Sequence, residues 1–188
     1  MTAFRAELRK LLTLPSLRHT ALLTLAATGL LRYASGAALG YVQAGFLVLG
    51  VLAVASEHQA GGQIRATLLA MPRRPRLYAA KTLALATAAL PPAFTAAAFD
   101  VPAGGYLLIT TLLAFAVATL ARRATPAVLV LLGLYFVASP LLRSRWAGLG
   151  AYLPDTAAWA VPRDLTATAG WTAALLIAAA WSFHRRDA

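Results

Sequence analysis

Six apolar runs, joined by connections too short to hold a domain, decide most of what this chain can become. They cover 19–31, 39–56, 79–99, 105–121, 126–142 and 167–183 of 188 residues. A membrane-crossing helix needs about 20 mostly apolar residues. The first run is short unless Leu17 and Tyr33 flank it at the membrane surface. The sequence is 60% hydrophobic and only 12% charged, more apolar surface than a soluble domain of this size can bury. The expected fold is all-α: a single domain over 1–188, an integral membrane bundle of six transmembrane helices. No cysteine is present, which excludes disulfides and thiolate chemistry.

Basic residues set the orientation. With the N terminus inside, 13 of the 17 Arg and Lys fall on the cytoplasmic side, and Arg32, Arg143, Arg145 and Arg163 fall outside. Cytoplasmic loops are enriched in Arg and Lys, so both termini are expected in the cytoplasm of a multi-pass cell-membrane protein. The net charge of +11 is then an orientation signal that also attracts anionic membrane lipid, and nucleic acid is not expected as a partner. Residues 1–16 form an interfacial helix, with Phe4, Leu8, Leu11 and Leu12 on one face and Arg5, Glu7, Arg9 and Lys10 elsewhere. Pro15 and Ser16 end it.

The longest polar connection, 56–81, reads SEHQAGGQIRATLLAMPRRPRLYAAK. Gly61-Gly62 and Pro72 bracket a short helix on which Ile64, Leu68 and Leu69 form an apolar patch, with Arg65, Arg73 and Arg74 available to acidic groups. Glu57 is placed to pair with Arg65 or Lys81. A second irregular stretch, 143–165, carries Trp146, Tyr152 and Trp159, aromatics suited to headgroup depth. It reads either as an interfacial loop or as a re-entrant pair of short helices around Gly148, Gly150 and Pro154.

Ser56-Glu57-His58, a following glycine (Gly61 or Gly62), Ile64-Arg65, Thr67-Leu68, Pro72-Arg73-Arg74 and Lys81 together resemble the cytoplasmic loop of ABC-2 type transporter permeases. The likeness extends to the layout of elbow helix, six spans and irregular outer segment, although the chain is shorter than bacterial members. The resemblance implies the permease subunit of an exporter that pairs with a second copy, expected to be a homodimer, and with a separate ABC ATPase subunit. That partner would bind ATP and Mg; this chain would hold no cofactor. Residues 57–76 would be the coupling loop, acting through Glu57, Gly61, Ile64, Arg65, Thr67, Leu68, Pro72, Arg73, Arg74 and Lys81. The cargo would be amphipathic or lipid-like: a peptide antibiotic, a drug or a lipid.

Other classes have weaker support. The three His and six carboxylates fall at or beyond the ends of the runs and show no paired metal-ligand spacing. No phosphate-binding loop occurs, so an enzyme is not expected. Charge is scarce inside the runs, against an ion-coupled transporter. Gln43 is the one amide in a run, suited either to line a translocation path or to hydrogen-bond across a dimer, and Pro91-Pro92 breaks the third run as a packing kink or a gating hinge; these three are the candidate substrate path. Ser139-Pro140 reads as a further helix break. The alternative function is a membrane immunity protein that binds a toxic peptide without ATP-driven turnover.

Overall fold

A computed structural model describes residues 3–35, 39–58, 74–155 and 165–186. All regular structure among them is helical. Helix α1 is Ala3–Thr13, α2 Pro15–Ser35, α3 Leu39–His58, α4 Arg74–Ala96, α5 Val101–Ala121, α6 Ala124–Arg145 and α7 Thr166–Arg186. A 3-10 helix, Ala147–Tyr152, follows α6.

Local chemistry sets the boundaries. Leu14 stands before a proline, where helical geometry is disfavoured, and it separates α1 from α2. Pro15 opens α2 in the position where its missing N–H costs nothing. The turn after α4 holds Ala98 and Phe99 at φ of 52° and 61°. There the Phe99 N–H reaches back to the Phe94 carbonyl at 2.8 Å and closes the helix end. Asp100 caps α5 by accepting from the Ala103 N–H at 2.8 Å. Arg122, also left-handed at φ 56°, closes the other end of α5.

Helix α5 is the axis of the bundle. It packs against α3, α4, α6 and α7, and its buried positions run round most of its circumference, from Tyr106 and Leu107 to Thr110, Thr111, Leu113 and Ala114. Such a helix needs neighbours on every side. The α3–α5 contact is so close that a Cβ on Gly50 would collide with the Thr111 carbonyl oxygen. Helix α2 lies against α3, and α1 lies along α4.

The outer surface is unusually apolar. Leu22, Leu23 and Leu30 of α2, Leu129 of α6 and Ile177 of α7 are each more than 60% exposed. By length and composition α5 and α6 are able to cross a membrane, and α3 has a shorter apolar stretch, Leu39–Ala55. Helices α2, α4 and α7 have 21, 23 and 21 residues with more polar compositions.

Several expectations need correction. Pro91 and Pro92 do not break α4, which runs through both to Ala96 and not to residue 99. The lost N–H groups leave carbonyls one turn back without helical donors. Ser139-Pro140 does not break α6 either. Helix α6 widens into a π segment, Leu134–Ala138, and continues to Arg145. Glu7 does not stay with the solvent-facing charges of α1. It sits one turn before Leu11, on the face packed on α4, and is 7% exposed. The choice between loop and re-entrant pair for 143–165 extends beyond the described residues; residues 143–155 make the end of α6 and one 3-10 helix, with Leu149 and Tyr152 exposed.

Candidate functional site

A set of fully buried polar side chains gathers at one end of the bundle. Helices α3 and α5 begin there and α6 ends there. Gln43 comes from the start of α3. Tyr106 and Thr110 lie one turn apart on α5, and Tyr135, Ser139 and Arg143 lie at successive four-residue steps on α6. Asp155 follows the 3-10 helix. Gln43, Tyr106, Thr110, Tyr135, Ser139 and Asp155 have no exposed surface.

Two strong hydrogen bonds frame the cluster. The Tyr106 hydroxyl donates to Gln43 Oε1 at 2.5 Å, joining α5 to α3. Arg143 Nη2 donates to Asp155 Oδ1 at 2.7 Å, joining α6 to the outer segment. The Arg143 side chain keeps 23% of its surface exposed, so the pair spans from surface to interior. The Tyr106 and Tyr135 hydroxyls, Thr110 and Asp155 are within electrostatic reach of one another. Yet Gln43 Nε2, Thr110 Oγ1, the Tyr135 hydroxyl, Ser139 Oγ and Asp155 Oδ2 each lack a hydrogen-bond partner. Buried polar atoms are normally paired, and leaving one unpaired costs about 1–3 kcal/mol. Four of the five face one another, Thr110 towards the tyrosine hydroxyls and Ser139 towards Asp155, so the group forms a compact polar cluster within the apolar core.

The surrounding elements hold this geometry. In α6 the Ser139 N–H reaches the Leu134 carbonyl, five residues back. Pro140 has no N–H to continue the normal ladder, and the wider turn re-aims the residues on either side; such turns recur at functional sites. Asp155 is held by α7. Thr168 Oγ1 donates to the Pro154 carbonyl at 2.7 Å, and Trp171 Nε1 donates to the Tyr152 carbonyl at 2.8 Å. Burial pushes the Asp155 carboxyl above its ordinary range, while the Arg143 guanidinium pulls it back.

This arrangement offers donors and acceptors in an apolar frame, closed at the surface by an ion pair. Among the described residues no three His, Asp or Glu side chains converge as metal ligands.

The sequence candidates separate. Gln43 falls in this cluster. Pro91 is exposed and half-buried Pro92 lines a different cleft, against α1 and α2. Gly61, Ile64, Arg65, Thr67, Leu68, Pro72 and Arg73 lie outside the described residues. Glu57 is in the last turn of α3 and Arg74 opens α4, but their side chains also lie outside the description. Lys81 is described: its Nζ is 3.5 Å from Glu7 Oε1, both side chains under a tenth exposed. The expected pairing partner was Glu57; α1 supplies a carboxylate in addition or instead, because Glu7 faces α4.

Sequence reading passed over Tyr106 and Tyr135, and it treated Asp155 and Arg143 as peripheral. A signal was present in the i, i+4, i+8 spacing of Tyr135, Ser139 and Arg143, and in the i, i+4 spacing of Tyr106 and Thr110: polar faces on apolar helices. No protein family, curated protein or solved structure matches the chain.

Proposed function

We propose that the chain is a six-span membrane protein and the permease subunit of an ATP-driven ABC-2 type exporter. One observation carries the reading: an amphipathic helix is followed by six helices of 20 to 23 residues. At 1.5 Å per residue each is about 30–35 Å long, the thickness of a bilayer's hydrocarbon core. Exposed leucine and isoleucine on the outer helices suit lipid tails. On this reading the polar connection between α3 and α4 faces the cytoplasm and seats in a separate ATPase subunit. The chain itself hydrolyses nothing, and a second copy completes the path.

Two features support coupling through α4. Lys81 follows the connection by two helical turns, and Glu7 ties α1 to it. A shift of the connection would therefore move α4 and α1 together. At the other end, the Gln43–Tyr106–Asp155 cluster would line the exit, with the Arg143–Asp155 pair as its closure. The cargo would be amphipathic, an apolar body with a hydrogen-bonding head.

Purification of the tagged chain in mild detergent tests this. A stoichiometric P-loop ATPase is expected to copurify and to be lost when residues 61–72 are scrambled. A chain that copurifies with no ATPase would overturn the transporter reading and favour an immunity protein that sequesters a toxic peptide.

A further inference from the structure

An apolar cleft of about 100 Å³ opens between α1, α2 and α4. Leu11, Leu17, Leu85, Ala88 and Pro92 are among its walls, and Arg18 is the one charged residue on its lining among the described residues. Along α4 the lining runs from Leu85 to Pro92, about 10 Å at the helical rise. Arg18 is exposed and borders the cleft, whose other walls are hydrocarbon. A narrow apolar trough with a cation at its edge has the shape and charge of a receptor for one amphiphile: an acyl chain bearing an anionic head.

We infer that this cleft holds one chain of an anionic phospholipid, with Arg18 on the phosphate. The inference rests on the membrane reading above but not on the transporter reading. Lipid tails are as apolar as the leucines of the cleft, so seating a tail there gains no hydrophobic free energy over the bilayer. The trough supplies fit, and the discrimination comes from charge. One basic residue near a lipid surface favours an anionic head about fivefold. The bound lipid would wedge α1 against α2 and α4, beside the Glu7–Lys81 pair. It is a positioning lipid, separate from the polar cluster at the far end of α3 and α5.

Native mass spectrometry of the delipidated chain in mild detergent tests the site. The chain is supplied with equal amounts of phosphatidylglycerol and phosphatidylcholine. About fivefold preferential retention of phosphatidylglycerol is expected. Arg18→Gln should bring the two lipids near parity, and Arg18→Lys should keep the preference. Ala88→Phe, which fills the cleft, should lower retention of both. Equal retention by the parent chain would overturn the inference, as would a preference unchanged in Arg18→Gln or retention unchanged in Ala88→Phe. No ATPase takes part in the measurement, so failure to find an ATPase partner leaves this result standing. A chain that stays soluble without detergent would sink both readings.

Discussion

Tyr106 and Gln43 show how a single hydrogen bond in a dry interior divides structural from functional roles. Tyr106→Phe removes the donor to Gln43 Oε1 and leaves an amide whose Nε2 is already unpaired. A loss of about 1–3 kcal/mol is expected, read by thermal unfolding in detergent. Replacing both partners, Gln43→Leu with Tyr106→Phe, removes the unpaired groups with the bond and should restore most of that stability. If the double variant is stable but the proposed export is lost, the pair serves recognition; a double variant no more stable than Tyr106→Phe would mean the interior needs the bond itself. Asp155 gives a pH test. Its carboxyl titrates above the ordinary value of 3.8 because burial disfavours the charge. The folded state thus binds that proton more tightly than the unfolded chain. The stabilisation is fully present below pH 3.8 and is lost as pH rises through the raised value. Asp155→Asn should flatten this part of the stability–pH curve; an unchanged slope would assign it to another group.

At the scale of the element, the α1–α4 contact carries the clearest expectation. Glu7→Lys sets two ammonium groups together in a site where both side chains are under a tenth exposed. Amide exchange in α1 is expected to speed up at least tenfold, and Glu7→Lys with Lys81→Glu should slow it again. Exchange that stays fast in the double variant would show that α1 docks by its leucines alone. The same helix shows why the sequence was only partly legible. Phe4, Leu8, Leu11 and Leu12 announced an amphipathic helix, and Pro15 announced its end. Nothing in the spacing said that α1 would pack on α4 instead of resting wholly at an interface, so Glu7 could not be assigned to a buried face. Pro91, Pro92 and Pro140 were misread for a related reason. Proline's cost is local, whereas the packing that keeps α4 and α6 continuous is tertiary. The polar cluster was half visible, since the α6 spacing was in the sequence. What brought α3, α5 and α6 together at one end was the order of the bundle, which no single segment encodes.

For the whole molecule, topology is the first expectation to check, and a chain without cysteine makes single-cysteine labelling clean. Ser144 and Thr125 are exposed at opposite ends of α6. In intact cells a membrane-impermeant maleimide is expected to label Ser144→Cys and to reach Thr125→Cys only after permeabilisation. Equal labelling of both in intact cells would end the six-span reading. The close approach at Gly50 has a mechanical consequence. Gly50 is the twelfth of the 20 residues of α3, and Thr111 is the eleventh of the 21 in α5. The two helices therefore touch backbone to backbone near their midpoints, with only the Ala114 methyl beside the contact. Rods pinned at the middle behave as scissors: blades that part at one end draw together at the other. Under the transport cycle proposed above, spin labels at the two ends of α3 and α5 should report distances that change in opposite senses, and parallel changes would show that the rivet slides.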